Sequence, residues 1–188
     1  GKMGYAIARA GWLRGAEVVL ISAKADVAPP RGVNLVNVVS VSDMYEAVMS
    51  RLDWATIVIK AAAVGDYTPV NRFQGKMKKG LKESTLELKQ TVDILSEIGK
   101  KKNGKIVVGF AVETEDIVGN ALGKLRKKNA DLIIANDVSK PGVGFGEDTN
   151  IVYIADRNGR IEELPLMKKT EIAERIFDRI IEIKRSRT

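Results

Sequence analysis

Cysteine and histidine are both absent from the 188 residues of this chain. Their absence excludes disulfides, zinc sites of the Cys/His type, cysteine nucleophiles and Ser-His-Asp triads. Chemistry is left to Lys, Arg, Asp, Glu, Asn, Ser, Thr and Tyr side chains, to backbone amides and to Mg²⁺. Aromatic residues make up only 5% of the chain. None of them interrupts the lysines at 76–82, which argues against a nucleic-acid platform that stacks bases on rings. No apolar run approaches the ~18 residues needed to cross a bilayer, so no membrane partner is expected. No signal peptide is visible. The chain opens on Gly1 rather than an initiator Met, and the expectation is that its N-terminus lies upstream.

What is present is an ordinary globular composition, 45% apolar and 29% charged, in a length that suits one domain over 1–188. Lysine and arginine total 31 against 24 acidic residues, a net charge of +7. A basic balance of this kind attracts anions, whether nucleic acid, acidic lipid or phosphorylated small molecules. The excess lies in the loop at 76–82, in the run Lys124-Leu125-Arg126-Lys127-Lys128, and in the tail at 184–187. The tail reads as a frayed, solvated terminus.

Periodicity gives alternating helices and strands. A helix is expected at 2–14, strands at 17–22 and 34–39, and a helix at 43–52 capped by Ser42. A strand follows at 56–61, an exposed strand at 85–88, and a short helix at 93–99 capped by Asp93. Then come a buried strand at 105–110, a helix at 114–128, a strand at 131–135 and a glycine-rich loop at 141–148. A hairpin of 150–155 with 160–164 turns at Asn158-Gly159, and an amphipathic helix closes the chain at 170–184. This order implies an α/β fold, Rossmann-like, with a mainly parallel sheet covered by helices on both faces and a late β-hairpin. Such folds normally open with a strand. This chain opens with the helix, so a first strand is expected to be missing from its start.

One stretch carries most of the chemical signal. An apolar strand ends in Lys60-Ala61-Ala62-Ala63-Val64-Gly65-Asp66-Tyr67, and ten residues after Asp66 comes Lys76-Met77-Lys78-Lys79-Gly80. Ligands of open α/β sheets bind beyond the carboxyl ends of the strands. Small side chains there let a ligand approach the backbone, and clustered ammonium groups suit a polyphosphate. Lys124 and Lys128, four apart on one helix, can address one anion together.

The Ala61–Tyr67 turn and the Lys76 segment occur with four further motifs. These are Gly1-Lys2-Met3-Gly4, Val108-Gly109-Phe110-Ala111-Val112-Glu113-Thr114, Lys128-Asn129-Ala130-Asp131-Leu132-Ile133, and Ala135-Asn136-Asp137-Val138 with Gly144-Phe145 after it. In this order, along essentially the whole chain, they resemble phosphopantothenate–cysteine ligase of coenzyme A biosynthesis. The resemblance implies activation of the 4′-phosphopantothenate carboxylate by CTP, or by ATP, as an acyl-nucleotide with release of pyrophosphate. Cysteine then displaces the nucleoside monophosphate. It further implies Mg²⁺, a cytoplasmic homodimer and small-molecule substrates. Fusion to an upstream decarboxylase is also implied, with FMN belonging to that domain only. Both reacting nucleophiles come from substrates, so a protein without His or Cys can run this chemistry by positioning and charge neutralisation.

By the same resemblance Lys76 matches the loop lysine that closes on the nucleotide phosphates and is the catalytic candidate, with Lys78 and Lys79 in support. Asp66, Phe110, Lys124 and Lys128 match nucleotide contacts. Ala61 and Ala62 fall at the nucleotide side of the turn, and Ala63 at the pantothenate side. Gly65 offers an amide, and Lys60 stands where the family often has a small residue. Metal ligands are unknown. Asn136 and Asp137 fit substrate, Mg²⁺ or a turn equally, and Glu113 and Asp116 fit a helix N-terminus better than a metal. The family also carries a glycine-rich turn and an intermediate-stabilising asparagine ahead of Gly1, and a Lys-Asn-Pro-Asp turn where this chain has Gln90-Thr91-Val92-Asp93. The competing readings are another Rossmann-type enzyme, which would need a G-x-G-x-x-G that is not seen here, a basic nucleic-acid-binding module, and a catalytically silent relative.

Overall fold

The computed structural model describes residues 1–71, 85–139 and 146–187. Helix α1 (Lys2–Leu13) leads to strands β1 (Val19–Ser22) and β2 (Asn34–Asn37), helix α2 (Val41–Met49) and strand β3 (Ile57–Lys60). Strands β4 (Tyr67–Pro69) and β5 (Leu88–Gln90) precede helix α3 (Ile94–Lys100), strand β6 (Ile106–Glu113), helix α4 (Ile117–Lys127) and strand β7 (Leu132–Asp137). Strands β8 (Thr149–Asp156) and β9 (Ile161–Lys168) form the hairpin before α5 (Lys169–Ser186).

The central sheet runs β3-β6-β7-β8-β9. Its first three strands are parallel and its last two antiparallel. Strands β1 and β2 form a separate parallel pair, and β4 with β5 a short antiparallel arm. The period of two along β6 and β7 divides the core. Ile106, Val108, Leu132 and Ile134 face α1 and α5, packing with Ile7, Ile172, Ile176 and Ile180. Val107, Ala111, Ile133 and Ala135 face α2, α3 and α4, packing with Met44, Ile98 and Leu125. Removing one of these buried Ile or Leu side chains to Ala costs about 2–5 kcal/mol. Gly109 is required where α3 crosses the sheet, because a Cβ there would stand 2.5 Å from Leu95 and 2.8 Å from Ile133.

Several local details differ from the sequence expectations. Ser40, not Ser42, caps α2, because Asp43 accepts from the Ser40 amide at 2.8 Å while the Ser40 hydroxyl accepts from the Asp43 amide at 3.1 Å. That reciprocal capping box places Ser42 inside the first turn. Strand β6 runs three residues past Phe110, since Ala111, Val112 and Glu113 still pair with Ala135, Asn136 and Asp137. Helix α4 starts later in consequence, capped by Asp116 in the left-handed region at φ 39°. The exposed strand expected at 85–88 forms at Leu88–Gln90 instead, paired with the unexpected β4. Strand β9 continues through Pro165, which an edge strand tolerates. The tail at 184–187 is not frayed, since α5 runs to Ser186 and Arg187 caps it. Arg187 donates to the buried Asp131 carboxylate and, at 3.4 Å, to the Lys105 carbonyl. Among the described residues no helix is long and apolar enough to cross a membrane.

Candidate nucleotide site at the carboxyl ends of the strands

Strand β3 stops at Lys60, opposite Gly109 of β6. The chain then leaves the sheet through Ala61–Asp66, with Ala62, Ala63, Gly65 and Asp66 exposed. The next described segment is stitched back onto this turn. The Thr91 amide donates to the Asp66 carbonyl at 2.9 Å and the Thr91 hydroxyl to the Gly65 carbonyl at 2.7 Å. Two residues later Asp93 caps α3 by accepting from the Ser96 amide at 3.0 Å. The small-residue turn and the α3 N-terminus are therefore held as neighbours.

The two helix lysines do not share one partner. Lys124 donates to Glu113 at 2.6 Å, on the strand end that overhangs β3. Lys128, at the end of α4, pairs with Asp93. Burial tends to raise the Asp93 carboxyl, but the Lys128 ammonium and the Ser96 bonds outweigh it, and the group sits below the usual carboxylate range. Lys60 lies in the same neighbourhood. Burial pushes its ammonium below the usual lysine value, against the opposing pull of Asp93 and Asp66 and with the help of Lys128. The Asp66 carboxylate makes no hydrogen bond or ion pair among the described residues.

Other candidates take simpler parts. Phe110 packs with the α1–α5 cluster, on the face opposite the helix lysines, so a ligand touching both must cross the rim of the sheet. Asp137 accepts from the Ser139 amide at 3.0 Å, and Asn136 accepts from Asn150 at 3.0 Å. These bonds give both residues turn and strand-end roles. Asp116 spends its side chain on the Gly119 amide at 3.2 Å. Lys76, Lys78, Lys79 and the Gly144-Phe145 pair lie outside the described residues. Three participants carried little sequence signal: Thr91, Glu113 as the partner of Lys124, and Asp93 as the counter-charge of Lys128. Their partners are 26, 11 and 35 residues away, beyond any local spacing rule.

A mainly parallel α/β sheet covered on both faces defines the class of doubly wound domains, whose ligands bind beyond the carboxyl ends of the strands. Comparison with known proteins narrows that class. The chain belongs to the family described as the DNA/pantothenate metabolism flavoprotein C-terminal domain, which matches residues 1–183. Over 181 residues it is 51% identical to the coenzyme A biosynthesis bifunctional protein CoaBC of Bacillus subtilis, covering 96% of this chain and 45% of that protein. A protein named cysteine/cysteine sulfinic acid decarboxylase, from an unknown prokaryotic organism, is 39% identical across 96% of this chain and 51% of its own length. The chain thus spans about half the length of these relatives. Its fold matches the crystal structure of the C-terminal domain of a CoaBC protein, with a TM-score of 0.83 and 39% identity over 99% of this chain and 84% of that one.

Proposed function

We propose that this domain is a phosphopantothenate–cysteine ligase of coenzyme A biosynthesis, with CTP favoured over ATP. The observation that carries the reading is the grouping of Lys60, Lys124 and Lys128 around Asp93 and Glu113, beside the small-residue turn after β3, in a chain with no His and no Cys. The 51% identity to CoaBC of Bacillus subtilis supports it. The substrate carboxylate attacks the α-phosphorus of the nucleotide and pyrophosphate leaves. The cysteine amine then attacks the acyl-nucleotide and the nucleoside monophosphate leaves. The protein supplies proximity and positive charge, which is where most of the catalysis of phosphoryl and nucleotidyl transfer lies.

Lys124 and Lys128 exchange their carboxylate partners for nucleotide phosphates, and Lys76 neutralises the departing pyrophosphate. Asp66 contacts the nucleotide, Ala61 and Ala62 let it approach the backbone, and Ala63 does the same for the pantothenate chain. Phe110 packs against base or ribose at the rim. Among the described residues no group of three or more carboxylates is preformed for a metal. Asp66 would be the carboxylate available to a Mg²⁺ ion that arrives with the nucleotide phosphates. When bound it offsets phosphate charge. The protein is proposed to be cytoplasmic and homodimeric. The small β4–β5 arm, with Tyr67 and Leu88 exposed, is too slight to be stable in isolation and suits coverage by a second copy. An upstream decarboxylase domain with its FMN belongs to the same proposal.

The test is pyrophosphate release by the natural full-length protein with 4′-phosphopantothenate and each nucleotide, before and after cysteine is added. Release that depends on phosphopantothenate and is faster with CTP is expected. No release with either nucleotide would end the reading. Lys76→Ala should leave nucleotide affinity near the parent value and lower turnover by about 100-fold or more, as for other groups that act on developing charge.

A further inference from the structure

Three lysines gather on the α3–α4 side of the strand ends, and they are held differently. Lys124 rests on Glu113 and Lys128 on Asp93. Lys60 has neither kind of support. The alternation of β3 sends Ile57 and Ile59 to the α1–α5 cluster and Val58 to the other, so Lys60 follows Val58 toward α3 and α4. There it is half-buried, with Asp93, Asp66 and Lys128 as its charged neighbours. Among the described residues its ammonium makes no hydrogen bond and no ion pair. Withdrawing a cation from water without a close partner is costly. The last position of a strand with three apolar predecessors would accept an apolar side chain at no such cost.

We infer that Lys60 is a phosphate-recognising residue of this rim, whose missing partner is an anionic oxygen of the bound nucleotide. The inference rests on the nucleotide-binding reading above and adds to it a contact from the last residue of β3. Lys60 sets how strongly this chain prefers a polyphosphate over an uncharged ligand, because its charge meets the anion in a partly dry setting where each charge-assisted bond is strong.

The experiment is calorimetric titration of CTP, ATP, cytidine and inorganic pyrophosphate into the natural full-length protein and its Lys60→Met, Lys60→Arg and Lys128→Ala variants. Lys60→Met should bind CTP and pyrophosphate roughly tenfold more weakly, leave cytidine unchanged, and melt no lower than the parent. Lys60→Arg should restore most of the loss. Lys60→Gln gives the same comparison should the methionine variant fail to fold. Parent-like CTP affinity in Lys60→Met, alongside a weakened Lys128→Ala, would overturn the role of Lys60 alone. A lowered melting temperature with unchanged affinities would assign Lys60 to internal packing and overturn it equally. A parent that binds neither nucleotide would remove the nucleotide-binding reading and this inference with it.

Discussion

The two ends of the central sheet handle charge in opposite ways. At the amino end, Asp131 is 1% exposed and gathers Lys102, Arg187 and, at 3.7 Å, Arg157, while its second oxygen accepts from the Val107 amide at 2.8 Å. One carboxylate there organises the start of two strands, the hairpin turn and the last helix. At the carboxyl end Glu113 and Asp93 each hold one lysine, and one member of each pair is well exposed, Lys124 at 43% and Asp93 at 49%. Removing a partner from a buried cluster leaves uncompensated charge, whereas exposed pairs contribute about 0–1 kcal/mol. The first arrangement is architecture. The second can change partners. A pocket of about 370 Å³ near the amino end, lined by Asn129, Asp156 and Arg157 among others, illustrates the difference. Its Arg157 already donates to Asn129 and to the Ala130 carbonyl, and its Asp156 accepts from Arg179, so these groups are committed within the fold.

The strongest challenge to this contrast is Asp131→Asn. Three cations would then crowd an uncharged amide, and the loss should be about 3–5 kcal/mol, read by chemical denaturation. Nucleotide affinity of the folded protein should not move. A variant as stable as the parent would erase the distinction between the two ends. Lys124→Ala and Lys128→Ala should show the reverse emphasis, with nucleotide binding weakened roughly tenfold each, and in Lys128→Ala, which leaves only the exposed Asp93 unpaired, stability altered by less than ~1 kcal/mol. Asp93→Asn sharpens the point further. Asparagine caps a helix as well as aspartate, so α3 should persist while Lys128 is released, and CTP should bind a few-fold more tightly.

The smallest effect is in acid. The Asp93 carboxyl is held below its ordinary value of 3.8, so its contribution to stability is complete above that pH and is lost as the pH falls through the lower folded value. The stability gap between parent and Asp93→Asn should be flat near neutrality and close below about pH 3.8. A gap that closes instead between pH 5 and 7 would mean that another group carries the effect.

Much of the fold was legible because its signals are local. The β-branched runs of β6 and β7 alternate between two helical layers, and the Asn158-Gly159 turn marks the hairpin. Boundaries failed where a side chain chose between nearby tasks. Asp43 selected Ser40 as the cap, and Asp116 took a left-handed backbone that delayed α4. The site was legible in part. Spacing identified Lys124 and Lys128 as neighbours, but their separate carboxylates come from other elements and no helical rule foretells them. The free state of the Asp66 carboxylate and of Lys60 is likewise a property of the assembled rim. No window of sequence contains it.

The grip of Arg187 on Asp131 has a mechanical consequence. The far end of α5 is riveted to the floor of the sheet as well as packed along its length, so tension applied at that end would be delivered as shear across the first rungs of β6 and β7. Such geometry resists pulling as a bolt does, and α5 would give way together with the sheet beneath it rather than turn by turn.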